Sequence, residues 1–258
     1  MMNLIYPPAA DPRPVEKLSE ACAAGGTTLF TSGIDPGLSG DALPLAALQI
    51  CERVDTIRVQ ELSDYGTHPD GAWATPTASD SPKGRPPPHF CIPGSPTRFW
   101  GGMIGLLAEI LDVQIEGLEE FCQRWYAPET FDVPMGRMAK DTLVAVRLGV
   151  AGIVSGRQRL VAEHVTRMRH DMAPVWPQPP AGTSSVHRVE IEGLPSLTLD
   201  LSLGADQSAG HDGTGLLATA MRLANAIPAV VAARPGPVTP LDLALGRGRH
   251  LLAQEGST

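Results

Sequence analysis

Two long runs of alternating apolar residues, Leu143 to Val154 and Arg159 to Arg169, flank Ser155-Gly156-Arg157 and limit the possible folds more than any other segment. Alternation at period two marks a half-buried strand, and a short glycine-containing break joins two such strands into a hairpin. A second pair, His187 to Ile191 and Ser196 to Leu203, flanks Glu192-Gly193-Leu194-Pro195 and predicts a second hairpin. Thr56 to Glu61 alternates as well. A largely antiparallel sheet of about five strands follows, and it needs a covering layer to bury its apolar face.

The remaining periodic segments supply that layer. Asp11 to Ala24 reads as a helix, with Pro12 and Pro14 in its first turn, Val15, Leu18 and Cys22 on one face, and Gly25-Gly26 ending it. Strand Thr28 to Thr31 empties through Gly33, Pro36, Gly37 and Gly40 into a helix predicted over Asp41 to Val54, where Leu43, Ala47, Ile50 and Val54 repeat at helical spacing. Such a turn presents free backbone N–H groups beside a positive helix end, so residues 27 to 48 suit an anion or cofactor. Helices are predicted over Arg98 to Leu111, over Ile115 to Tyr126 ending before Ala127-Pro128, and over about Gly213 to Ala233, starting after Asp212 and bending at Pro228. Helices covering one face of an antiparallel sheet make an α+β fold. Gly66 to Pro96, with eight prolines, interrupts the pattern as an irregular surface excursion.

Composition narrows the function classes. The chain of 258 residues is 43% hydrophobic, enough for one large or two small domains with a real core. Its formal charge of −8 argues against nucleic acid or an anionic membrane as the main partner, because phosphate binding needs a dense basic surface. Leu216 to Ala233 contains Arg222, Asn225 and Pro228 and is read as a core or interface helix rather than a membrane span. Cys22, Cys51, Cys91 and Cys122 form no C-x-x-C pair and no zinc-type spacing, so buried reduced thiols and no metal are expected. The N-terminus has no basic region followed by an apolar run, and a cytoplasmic location is expected.

Three groups of residues are candidates for chemistry. Gly213-Thr214-Gly215-Leu216-Leu217-Ala218 matches G-x-G-x-x-G/A by letter, but no strand ends at its first glycine and no second strand follows, so it reads as a glycine-rich helix start. Glu163-His164 lies within a predicted strand, where neighbours face opposite sides, so only one of the two can reach a cleft. His164 there is a candidate general acid or base. Glu61, Asp64, Tyr65 and His68 cluster where the first sheet strand meets a loop, with Asp64 a further catalytic candidate. There is no G-x-S-x-G, H-E-x-x-H or P-loop, and hydrolase, zinc-protease and NTPase readings lack support.

The order of short motifs resembles the C-terminal part of 2,4-diaminopentanoate dehydrogenase-like oxidoreductases, relatives of dihydrodipicolinate reductase. The motifs are Gly33-Ile34-Asp35-Pro36-Gly37 with Asp41-Ala42-Leu43-Pro44, Val59-Gln60-Glu61, Trp100-Gly101-Gly102, and Ala127-Pro128-Glu129-Thr130-Phe131. They continue in Glu163-His164-Val165-Thr166-Arg167, Trp176-Pro177-Gln178-Pro179 and the run from Asn225 to Ala233. The resemblance implies an α+β substrate-binding and oligomerisation domain over residues 33–258, with residues 1–32 as the remnant of a dinucleotide-binding Rossmann side. It implies NAD(P)H as cofactor, with Gly33, Ile34, Asp35 and Gly37 near the nicotinamide, a small amine or amino-acid-like substrate, and a homo-oligomer formed through the sheet. Members of the family usually carry Asn where Asp35 stands. The Glu-x-His-His and lysine pattern of dihydrodipicolinate reductase is replaced by Glu61-Leu62-Ser63-Asp64-Tyr65 with no lysine before Lys83, so the lysine-pathway reaction is not expected. Tight dinucleotide binding by this chain alone is not expected either, as a truncated or mis-started product would explain. The competing reading is a non-catalytic binding or assembly protein derived from that domain.

Overall fold

The computed structural model describes residues 2–67, 82–84, 88–204 and 210–244. Helix α1 (Pro12–Gly25) is capped by Asp11, whose carboxylate accepts from the Arg13 N–H, and it ends on Gly26 in the left-handed region. Strand β1 (Thr28–Phe30), the turn Ile34–Leu38 and helix α2 (Ala42–Leu48) follow. The helix predicted over 41–54 stops early because Arg53 already pairs with the sheet as the first residue of β2 (Arg53–Asp64). Helix α3 (Ser95–Ile110) precedes β3 (Gly117–Tyr126), the small hairpin β4 (Phe131–Val133) and β5 (Gly136–Met138), then β6 (Leu143–Val154) and β7 (Arg157–Arg167). Strands β8 (Ser185–Leu194) and β9 (Leu197–Leu201), helix α4 (Gly210–Ala232) and β10 (Gly236–Val238) complete the order.

Both predicted hairpins form. In the β6–β7 turn Ser155 and Gly156 take φ of 52° and 69°, the two positive values that a tight hairpin turn requires. The sheet runs β3-β6-β7-β2-β8-β9, with every neighbour antiparallel except β2 and β7, which are parallel. It has six strands rather than five because residues 115–126, predicted as helix, contain edge strand β3. Leu118, Phe121, Cys122 and Trp125 imitate a helical period because both faces of β3 are used. Cys122 packs on the α3 side, while Trp125 joins the apolar cluster of the other face. The fold is α+β.

α3 lies across one sheet face, and the main core forms there from Trp100, Met103, Ile104 and Leu107 against Val146, Leu148, Leu160, Ala162, Val59 and Val189. Gly152 on β6 admits that helix, since a Cβ there would lie 2.6 Å from Ile104. A second cluster, including Leu62, Val165, Met168, Met172 and Trp176, fills one end of the opposite face. Cys91 and Cys122 are joined by a disulfide with Cα atoms 5.6 Å apart, which corrects the expectation of four thiols; Cys22 and Cys51 are free. Spacing along the chain conceals this pair, because residue 91 meets β3 only after the intervening helix has turned the chain back. Most of the proline-rich stretch, and His68, lie outside the described residues; within it Pro82 bridges to Thr142.

α4 departs from the core reading. It begins at Gly210, ahead of the Asp212 expected to cap it, and continues unbroken through Gly213–Ala218. Leu216, Leu217, Ile227 and Val231 are exposed, the last at 79%. Among the described residues it is the one helix long and apolar enough to cross a membrane. β1 and β10 form a separate two-stranded parallel sheet beside it.

Candidate functional site

Strand register assembles the site. Glu61 on β2 pairs with His164 on the parallel β7 and with His187 on the antiparallel β8. Register partners point to the same face, so the three side chains form a row across three strands. That face is the one under α3, where Ile57 and Val59 precede Glu61, and Leu160 and Ala162 precede His164. The row therefore ends an apolar floor, and Trp100 of α3 closes it from above, its ring 4.1 Å from the His164 ring.

The turn after β1 adds Asp35. Its loop is closed by N–H groups of Leu38 and Ser39 donating to the carbonyls of Gly33 and Ile34, both at 3.0 Å. Gly37, at φ 154°, is in the region where side chains are strained, and a Cβ there would lie 3.1 Å from the Ser32 hydroxyl. The Asp35–Pro36 peptide is cis. Asp35 Oδ2 lies 2.8 Å from His164 Nε2, and Glu61 Oε2 lies 3.4 Å from His164 Nδ1.

Burial by itself disfavours the His164 imidazolium, but the carboxylates of Asp35, Glu61 and Glu163 outweigh it and hold the pKa above the ordinary histidine value. Burial likewise raises Asp35, and His164, with His187 and Glu61, reverses this to leave its pKa below the ordinary range. The site thus sets one imidazole, its protonated form favoured, between two acidic side chains. Asp35 Oδ1 and His187 Nδ1 are buried with no hydrogen-bond partner. The arrangement suits a small cation and a proton that must be held and moved.

The other catalytic candidates lie on the opposite face. Glu163 is fully buried, accepting from Gln60 Nε2 at 2.7 Å and Arg58 Nη1 at 3.0 Å, with Arg147 Nε on its other oxygen. That clamp ties β2, β6 and β7 together. Asp64 pairs in register with Arg167, whose guanidinium donates to the carbonyls of Met172 and Pro177; burial pulls the Arg167 pKa down to about 10, against the field of Asp64. Gly33, Ile34, Asp35 and Gly37 do share one turn, at the site.

The anion cradle expected at residues 27–48 is already filled from within. Asp41 is buried at the start of α2, accepts from the Ala42 N–H and pairs with Arg222 of α4 at 3.0 Å. His187 was not singled out by sequence; its signal was its place at the start of an alternating run, which gains meaning only when β8 is known to pair with β2.

No family model matches the chain. It is 37% identical over 234 residues to an amine dehydrogenase of Streptomyces virginiae, the match covering 87% of this chain and 62% of that relative. The chain thus spans less than two thirds of that protein's length. The solved structure of an amine dehydrogenase from Mycobacterium smegmatis has a similar fold, with a TM-score of 0.67 at 18% identity over 96% of this chain and 68% of that one.

Proposed function

We propose that the chain is the substrate-binding and oligomerisation part of an NAD(P)H-dependent amine or imine oxidoreductase, of the 2,4-diaminopentanoate dehydrogenase-like or dihydrodipicolinate reductase-like kind. One observation carries the reading: Asp35, Glu61 and His164, two acidic side chains held against one imidazole and largely shielded from water, at the end of an apolar floor. A protonated amine donates to the carboxylates while its hydrocarbon part rests toward Trp100 and the floor. His164, held at both ring nitrogens, gives or takes the amine proton, and burial under Trp100 keeps water from competing. The name of the Streptomyces relative supports the same substrate class.

Among the described residues no cradle fits the pyrophosphate of a dinucleotide. Gly213–Ala218 runs inside α4, and Asp41 with Arg222 closes the start of α2. The nicotinamide, when bound, supplies the hydride; the residues here hold the amine, exclude water and manage its proton. The second face of the sheet, which no helix among the described residues covers, is the surface through which copies associate.

Calorimetric titration of the full chain, in EDTA, with a panel of primary amines and amino acids tests the reading. Saturable binding is expected for at least one amine, weakened about tenfold or more in Glu61→Gln by loss of a charge-assisted hydrogen bond. Failure of every amine to bind, or unchanged affinity in Glu61→Gln, overturns it. NAD(P)H alone is expected to show no micromolar binding.

A further inference from the structure

We infer that Asp35, Glu61 and His187 form a site for a divalent transition-metal ion, a function beyond the amine reading. One ligand atom from each residue lies within 4.8 Å of those of the other two. Ligands about 2.0–2.2 Å from a shared ion can stand up to roughly 4.4 Å apart, so small side-chain rotations close the set. The second observation is independent of that spacing. Asp35 Oδ1 and His187 Nδ1 have no hydrogen-bond partner, although the Asp35 side chain is only 5% exposed and His187 only 7%. Buried polar atoms without partners are rare, and here a carboxylate oxygen and an imidazole nitrogen, both of ligand type, are left unpartnered on two residues of the same group.

The surroundings are those of a metal site. Asp35 Oδ2 is held by His164 Nε2 at 2.8 Å, which leaves Oδ1 as the free ligand and fixes the carboxylate plane. Ser63 donates to Glu61 Oε1 at 3.3 Å. Two carboxylate oxygens with one imidazole nitrogen form a hard to borderline set, which suits Zn²⁺, Co²⁺ or Mn²⁺ and lacks the sulfur that Cu⁺ prefers. Glu61 is the most exposed of the three, with its side chain 20% exposed. An ammonium and a metal ion are alternative occupants of these oxygens and compete.

The test uses the full chain, stripped with EDTA and dialysed, titrated with CoCl₂ and followed by its visible ligand-field absorption, with ZnCl₂ binding measured by calorimetry. The expected result is one equivalent of Co²⁺ with intense tetrahedral-type or five-coordinate bands, and affinity reduced about tenfold or more in both Asp35→Asn and His187→Gln. Circular dichroism confirms that the variants are folded, and His170→Gln, at an exposed histidine, serves as the control. Absence of ligand-field bands, affinity unchanged in Asp35→Asn and His187→Gln, or loss of binding in His170→Gln instead overturns the site. Amine binding is measured in EDTA, so the failure of either reading leaves the other standing on its own result.

Discussion

Glu163 and His164 are adjacent in sequence and face opposite sides of the sheet. The strand alternation that assigns them to opposite faces is legible in the sequence, but which face holds the site is not. That depends on Asp35 arriving from a turn more than a hundred residues upstream and on Glu61 lying beside His164 in a parallel pairing. Glu163 makes the structural contribution, as the shared partner of Arg58, Gln60 and Arg147. Removing its charge leaves two guanidinium groups, about a quarter exposed, without their counter-ion. Glu163→Gln is therefore expected to cost about 2–4 kcal/mol in urea denaturation, the range for breaking a buried pair discounted for the partial exposure of the arginines. Its amine affinity should fall much less than in Glu61→Gln, because the clamp lies on the far face and Glu163 reaches the site only through its field at His164.

At the scale of elements, the hairpins and α1, α3 and α4 were readable because each announces itself locally, through period two around a glycine or through a run of apolar residues at helical spacing, with a cap legible for α1 alone. β3 was not, since an edge strand that packs on both faces has lost its period. One residue of that strand also finishes a helix. Glu120 Oε2 accepts from Gly94 N–H at 2.7 Å and Oε1 from Thr97 N–H at 2.8 Å, so a carboxylate from β3 satisfies the first turn of α3. Burial would raise its pKa, but the hydrogen bonds from Thr97 and Gly94 outweigh it, and the pKa falls below the ordinary glutamate value. A depressed folded-state pKa means stability that is present above the ordinary pKa and is lost as pH falls through the folded one. Glu120→Gln is expected to cost about 0.5–1 kcal/mol at neutral pH, the lower part of the capping range because water screens the group. Thermal melts of the two proteins should converge as pH drops below the glutamate range. A difference that persists there would mean that shape, not charge, carries the cap.

The whole molecule is a two-layer structure with uneven cover. α3 and its core protect one face of the sheet, while the other is filled at one end by the second cluster and carries Gln123 and Glu190 exposed elsewhere. α4 adds exposed apolar residues away from the sheet. Association through the sheet was expected only from the family resemblance, and sequence reasoning placed α4 in a core or an interface without distinguishing them. The two surfaces give different outcomes in solution. Light scattering on the full chain is expected to give a dimer or higher. Gln123→Arg with Glu190→Arg, which put cations on the uncovered sheet face from two strands, should raise the dissociation constant by about a hundredfold or more through like-charge repulsion between copies. Ile227→Glu on α4 should leave it unchanged. A monomeric parent, or dissociation caused by Ile227→Glu while the sheet variant stays assembled, would remove the sheet from the assembly, and the latter result would make the helix the interface.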